Sequence, residues 1–471
     1  MESYIVLLYT NIISSCSLAK IYIIKKWLLI FSICYFNILV VNAQTYTLWS
    51  RGNPTDTVTA TTPCTLLMGG ATEDDQAMKK FLQYANHGDI VVIRTSGSDG
   101  YNNYLYSDLG IQVHSVQTLL ITTVAAANDS FVVQTVRNAE ALWIAGGDQW
   151  TYVNNWKGTA LNSAINHLIN VRHVPIGGTS AGMAIMGEYY NSAQGGSAVS
   201  STVLANPYHS TVTIGNSDFI NNNLMLNTIT DSHFDNPDRR GRLMTFIART
   251  WKDKGVKING IACDEYTSVF IDTNYKATVY GGGPSYDDNA YFVRVDCEGN
   301  NSIENCVSGS PLNWKQDSSV VKVYKIQSDS SGTQFFDLRN FGASPTYLNN
   351  GGVWLNWWIS NGSFNSANGN PISCTPNLLN ETNENDFDVI VSPNPMNDQV
   401  YLDLNLEFDQ KVNISITDIS GHVVYDRQEP IYLIAGKHHL SIQLNHATQG
   451  VYFMKIQNNS GKKLVKKLIR S

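Results

Sequence analysis

The sequence predicts an α/β fold, a mostly parallel sheet flanked by helices, with a β-rich extension and a small C-terminal β-sandwich. Three observations carry this. Apolar runs at 65–68, 89–93, 118–121 and 141–145 lack the polar alternation of a half-exposed strand, so they read as strands covered on both faces. The stretches between them leave room for crossover helices. After about Gly260 the texture changes to short strands separated by turns.

Taken in order, Thr65–Gly70 is an apolar strand ending in two glycines, followed by a helix over 74–85. Asp89–Arg94 is the next strand and runs into Thr95-Ser-Gly-Ser98. Thr118–Thr122 and Ala141–Ala145 follow, with helices over 127–138 and 158–171 as crossovers. Val174-Pro-Ile-Gly-Gly-Thr179 is a short strand ending in a glycine-dense turn, and Ala181–Tyr190 continues as a helix. Ligands of such sheets collect at the carboxyl ends of the strands. Those ends are Gly69-Gly70, Thr95–Gly97, Gly146-Gly-Asp-Gln149 and Ser180.

In the extension, Gly260–Ile271, Ala277–Gly281, Tyr291–Val295 and Val320–Ile326 read as strands. Residues 328–375 are rich in Asn, Gly and Ser, and their pattern assigns no fold. Trp354, Trp357 and Trp358 within them read as packing residues, with a sugar-binding platform as the alternative. A polar, acidic linker over 376–388 precedes alternating strands at 400–406, 411–417, 439–444 and 451–456.

At the other end, Lys25 and Lys26 precede the apolar run Trp27–Val41, which ends at Val41-Asn-Ala43 before Gln44. This is the pattern of a signal peptide over 1–43. The run is short for a membrane anchor and is broken by Ser32 and Asn37. Its removal leaves Cys64, Cys263, Cys297, Cys306 and Cys374, an odd number. Cys297 and Cys306 flank a polar loop and could close a local disulfide, or both stay unpaired. No Cys/His group has zinc-ligand spacing, so no metal is expected. A net charge of -7 with scattered basic residues excludes nucleic acid as the partner.

The chemistry centres on Gly178-Thr-Ser-Ala-Gly182, a G-x-S-x-G frame on a strand-to-helix turn. Small neighbours let the backbone bend sharply there, and the N–H groups opening the next helix can hold a developing oxyanion. A serine nucleophile needs a base and a group that orients the base. Among the histidines, His233 in Asp231-Ser-His-Phe234 stands out, because an arginine-rich run, Asp235–Leu243, follows it. Asp264-Glu265 supplies an acid at a later strand end. Two adjacent residues of a strand face opposite sides, so one of the two can meet the histidine, and the residues alone leave open which.

Gly146-Gly-Asp-Gln149, Gly178-Thr-Ser-Ala-Gly182, Asp231-Ser-His-Phe234 with its arginines, and Asp264-Glu-Tyr-Thr267 occur in this order. Together they resemble the cyanophycinase family of serine peptidases, related to aspartyl dipeptidase, with a class I glutamine amidotransferase-like fold. The resemblance spans roughly residues 60–330 within an expected catalytic domain over 44–327. It implies Ser180 as nucleophile, His233 as general base and acid, and Glu265 as the residue orienting the imidazole. It implies Gly147 and Ala181 as oxyanion donors, and Gln149, Asp231, Arg239 and Arg242 as substrate-binding residues. The implied substrate is cyanophycin, a polyaspartate with arginine on its side-chain carboxylates, and no cofactor is implied. Pro237 stands where the family carries a further arginine, which motivates the alternative of a related peptidase on other Asp-containing peptides. A catalytically silent surface-binding protein is the third reading, and a homodimer stays open beside a monomer.

The last segment, 389–471, resembles the C-terminal sorting domain of type IX secretion. The matching features are Ser392-Pro-Asn-Pro395, Ile416-Thr-Asp-Ile-Ser-Gly421, Gly450-Val-Tyr-Phe-Met-Lys-Ile456 and the basic end. This resemblance implies the type IX machinery as a partner and a secreted or cell-surface location.

Overall fold

Five of the apolar runs lie side by side as a parallel sheet, in a computed structural model that describes residues 26, 44–283, 285–297, 301–342, 349–371, 387–406, 409–418, 422–427, 430–444, 447–458 and 463–470. The expected leader (Lys26 apart), Cys374 and the linker up to 386 lie outside these residues. The chain divides into two compact units, Met1–Pro376 and Asn377–Ser471.

In the first unit the strands begin with β1 (Thr47–Gly52), β2 (Cys64–Met68), β3 (Asp89–Arg94), β4 (Ser115–Leu120), β5 (Ala141–Ile144) and β6 (Ile176–Thr179). Next come β7 (Tyr189–Asn191), β8 (Ile214–Asn216), β9 (Thr228–Asp231), β10 (Asn259–Cys263), β11 (Ser268–Asp272) and β12 (Lys276–Tyr280). The last are β13 (Asn289–Val295), β14 (Val321–Gln327), β15 (Phe335–Asp337), β16 (Gly352–Ser360) and β17 (Ser363–Asn368). The main helices are α1 (Asp75–Tyr84), α2 (Ser130–Asn138), α3 (Gln149–Trp156), α4 (Ala160–His167), α5 (Ala181–Ala184) and α6 (Arg240–Lys254).

The first sheet has the order β1-β4-β3-β5-β6-β2-β11-β12-β15. Its middle, from β4 to β2, is parallel, and both margins are antiparallel. Strand β3 explains the unbroken apolar runs. Ile90 and Val92 pack under Met78, Phe81 and Leu82 of α1, while Val91 and Ile93 face the core of Val132, Val136, Leu161 and Ile165. The helices start where side chains satisfy their first N–H groups: Asp74 caps α1, Asp129 α2, Asp148 α3 and Thr159 α4.

The second sheet, β17-β16-β14-β13-β10-β9-β7-β8, shares one core with the first through Ile261, Cys263, Phe292 and Ile326. Its other face buries Ala262, Val293, Val321 and Trp357 against Leu243, Met244 and Ile247 of α6. The unit is therefore layered, with helix, sheet, a shared core with helices, a second sheet and a last helix.

The structure revises or completes several of these expectations. The run Gly260–Ile271 is two strands, β10 and β11, in different sheets, with Asp264–Thr267 turning between them. The helix after Ser180 stops at Ala184, because Tyr189–Asn191 is drawn into the second sheet, where the buried Tyr190 hydroxyl donates to Asp218 (2.6 Å). The segment 328–375, unassigned by its pattern, supplies β15, β16 and β17 and completes both sheets. Trp357 is fully buried beside Phe234 and Tyr291, and Trp354 packs on Tyr324, so packing prevails over a sugar platform. Finally, Cys297 is disulfide-bonded but Cys306 is free and buried, so the two do not close a local loop. Cys64 and Cys263 are likewise free and buried.

The second unit is a sandwich. A three-stranded sheet holds Phe387–Ser392, Gln399–Leu406 and Gly436–Gln443. The other sheet is built on Gln410–Asp418, Gly450–Asn458 and Lys463–Arg470. Alternate residues such as Leu402, Leu404, Ile414, Ile416, Met454 and Ile456 point into one core.

Candidate active site

The carboxyl end of β2 gathers three distant segments. The Met68 carbonyl accepts from Ser180 N (3.0 Å), the Gly69 carbonyl from His233 N (2.8 Å), and the Gly70 carbonyl from Tyr266 N (3.1 Å). Gly69 N in turn donates to the Thr267 carbonyl (2.8 Å). The serine turn, the histidine loop and the acidic turn are thus fixed on consecutive peptide groups of one strand end.

Ser180 sits at φ 53° and ψ −115°, between β6 and α5. This left-handed conformation is costly for a residue with a side chain, and it lifts the hydroxyl out of the turn. The flanking glycines make it feasible by letting strand and helix touch. A methyl group on Gly178 would lie 2.7 Å from the Gly182 carbonyl carbon, and one on Gly182 would lie 2.9 Å from that of Ile144.

His233 follows β9 and is also left-handed (φ 48°). Its Nε2 lies 2.7 Å from Ser180 Oγ and its Nδ1 lies 2.6 Å from Glu265 Oε1. With a carboxylate as the Nδ1 partner, the proton of the neutral ring belongs on Nδ1, which leaves Nε2 to accept from the serine hydroxyl. His233 and Glu265 are about a quarter exposed, so the pair stays open to a ligand. Asp235 Oδ1 accepts from Glu265 N (3.3 Å) and anchors the acidic turn.

Of the two adjacent acids, Glu265 faces the histidine. Asp264 faces inward, where Oδ2 accepts from Asn289 N (2.9 Å), Asn289 Nδ2 (3.1 Å) and the Tyr291 hydroxyl (3.3 Å). Its Oδ1 is buried without a partner among the described residues. Burial, reinforced by the nearby Asp235 charge, pushes the Asp264 carboxyl up to about 7.

The expected substrate-binding residues separate into two groups. Asp231 and Arg242 are 2 % and 6 % exposed and bind each other. Arg242 Nε donates to Asp231 Oδ2 (2.9 Å), Nη2 donates to Oδ1, and Nη1 donates to the Ala198 carbonyl (3.2 Å) and Ser197 Oγ (3.3 Å). Their charges are spent on one another as a buried pair beneath the histidine loop. Arg239 and Gln149 are half-buried. Arg239 Nη1 donates to the Ser232 carbonyl (2.9 Å), and burial together with neighbouring Arg242 lowers its guanidinium to about 10, against the pull of Asp231, Glu265 and Asp235. Gln149 opens α3 and donates to the Asn191 carbonyl (3.1 Å).

Two backbone segments border the serine. Ala181 N is the first N–H of α5 and has no intrahelical acceptor. Gly146, which precedes Gly147, passes so near that a methyl group on it would touch Ser180 Cβ at 3.4 Å. Sequence reasoning missed the anchoring roles of Asp235, Asn289 and Tyr291. It marked Gly69-Gly70 as a strand end without giving it a part in the site; the paired glycines themselves were the available signal.

Residues 66–275 match the model described as Peptidase family S51, and residues 391–471 match the Secretion system C-terminal sorting domain. A protein of Geminocystis herdmanii described as cyanophycinase is 27% identical over 248 residues, covering 49% of this chain and 85% of its own. Among solved structures, a peptidase from an acI-B1 Actinobacterium aligns at 14% identity and TM-score 0.35, covering 47% of this chain and 88% of that one. A putative peptidase E protein from Listeria monocytogenes aligns at 15% identity and TM-score 0.32, covering 47% and 100%. The S51 segment holds Ser180, His233 and Glu265, and the sorting domain marks the chain for type IX secretion to the cell surface or exterior.

Two outcomes test the charge arrangement. Arg242→Met strands a buried carboxylate and should lower stability by about 3–5 kcal/mol in urea denaturation, and adding Asp231→Asn should recover part of that loss. The Asp264 carboxyl is raised from its ordinary value near 4 to about 7, so between those values the native protein holds a proton that the unfolded chain releases. Its contribution to stability therefore falls as pH rises through that window. Denaturation midpoints of Asp264→Asn should gain on the parent protein from about pH 4 to about pH 7.

Proposed function

We propose that the chain is an exported serine hydrolase that cleaves β-aspartyl-type peptide bonds, with cyanophycin as its substrate. The observation that carries this reading is the hydrogen-bonded series Glu265–His233–Ser180, with separations of 2.6 and 2.7 Å. In the proposed reaction Ser180 Oγ attacks the scissile carbonyl carbon while its proton passes to His233 Nε2. Glu265 holds the ring and stabilises the imidazolium. The oxyanion rests on the N–H groups of Gly147 and Ala181. Collapse breaks the C–N bond, and the amine leaves with the proton from His233. Water, deprotonated by His233, then attacks the acyl-serine carbonyl; the C–Oγ bond breaks, Ser180 Oγ takes the proton back from His233, and the acid is freed.

The substrate reading draws on the cyanophycinase relative and on Arg239. The Arg239 guanidinium stands beside the Ser–His–Glu series with donors beyond the one that Ser232 takes, which suits a free carboxylate of an aspartyl backbone. In this proposal Gln149, at the start of α3, also meets the substrate. The buried Asp231–Arg242 pair favours a second reading, a related peptidase acting on other Asp-containing peptides, because two of the charges expected to recognise cyanophycin are internal. Export in this proposal uses a leader over 1–43, a catalytic domain over 44–327 and a sorting domain over 389–471 that the type IX machinery engages.

Incubating the mature protein with insoluble cyanophycin, beside Ser180→Ala, tests the proposal. Release of β-aspartyl-arginine by the parent protein alone is the expected result. No release while a fluorophosphonate still labels Ser180 selects the second reading. No labelling at all overturns the hydrolase. Arg239→Met should raise KM by about tenfold or more for carboxylate-bearing substrates, with a smaller effect on kcat, in steady-state assays.

A further inference from the structure

We infer that Gly70 is a positioning residue: its bare Cα is the floor on which the His233 imidazole lies, and this sets the approach of Nε2 to Ser180. A methyl group on Gly70 would stand 3.0 Å from His233 Cδ2 and closer still to Cε1 and Nε2, inside the ring's van der Waals envelope. The ring cannot give way downward, because the His233 backbone is tied to Gly69 O at 2.8 Å. Sideways movement would break one of the contacts at Nδ1 and Nε2. Gly70 cannot retreat either, since its carbonyl holds Tyr266 N at 3.1 Å and Gly69 is pressed against the backbone of Cys263 and Asp264. Gly70 also has a φ of +121°, a conformation that costs a residue with a side chain. Gly158 is a positive-φ glycine without the collision: its φ is +73°, and nothing lies within 4 Å of where its methyl group would stand. The strain particular to +121° is separated from the ring contact by a change at His233.

The inference rests on the hydrolase reading for its kinetic consequence, but the steric contact can be tested without it. Displacing a reacting group by about 1 Å costs on the order of 100-fold in rate. In the mature protein, Gly70→Ala should therefore lower kcat and the rate of Ser180 labelling by a fluorophosphonate by about 100-fold, with KM little changed. Gly158→Ala should label like the parent. The second measurement is thermal stability in a double-mutant cycle. Gly70→Ala should lower the midpoint in the parent protein, and most of that loss should vanish in a His233→Ala background, because backbone strain is common to both and only the ring contact differs. If Gly70→Ala does not fold and the double variant does, the inference stands. If the loss is equal in both backgrounds, if neither folds, or if Gly70→Ala labels at the parent rate, it is overturned. A parent protein that never labels defeats the hydrolase reading, and the cycle still decides the contact.

Discussion

Three successive carbonyls, those of Met68, Gly69 and Gly70, hold the site together. Each takes the amide of a segment that the sequence keeps far apart: the serine turn near 180, the histidine loop near 233 and the acidic turn near 265. The arrangement depends on the place of β2, with β6 parallel on one side and β11 antiparallel on the other. A strand pinned by ladders on both edges cannot slide, so its last peptide groups are a fixed reference for the three loops. Register errors among the loops would unpair buried amides, which is far costlier than the small gain from any alternative contact.

Charge is used in two ways around this reference. Beneath the histidine loop, Asp231 and Arg242 neutralise each other where water does not reach. At the rim, Glu265 and Arg239 are only partly enclosed and Asp235 is exposed, so all three keep the capacity to respond to a ligand. The buried pair adds little net stability relative to apolar residues of the same size, but removing one partner is punishing, so it specifies the loop's geometry more than it strengthens the fold.

Much of this was legible in the residues. The doubly buried strands announced themselves as unbroken apolar runs, and Asp89–Arg94 matches its strand residue for residue. The G-x-S-x-G turn was legible because its glycines answer to hard-sphere contacts that no other residue satisfies. The fate of Asp231 and Arg242 was not, since a carboxylate that binds a ligand and one that binds an internal arginine look alike in one dimension. Residues 328–375 were opaque for a related reason. Edge and extension strands such as Ser363–Asn368 have one solvated face and polar composition, so their pairing is decided by β16 and not by their own pattern. The short helix after Ser180 was overread because helical spacing there is also the spacing of a buried turn leading into β7.

The three thiols that are unpaired among the described residues bear on how the protein withstands life outside the cell. Burial lifts Cys64 and Cys263 well above the ordinary thiol range and Cys306 to about 11. The reactive form toward oxidants and mixed disulfides is the thiolate, which is scarce at such values and shielded by the surrounding core. An oxidising exterior can therefore reach these sulfurs only through partial unfolding, so the persistence of reduced cysteines in the exported protein would serve as a clock for how often its core opens.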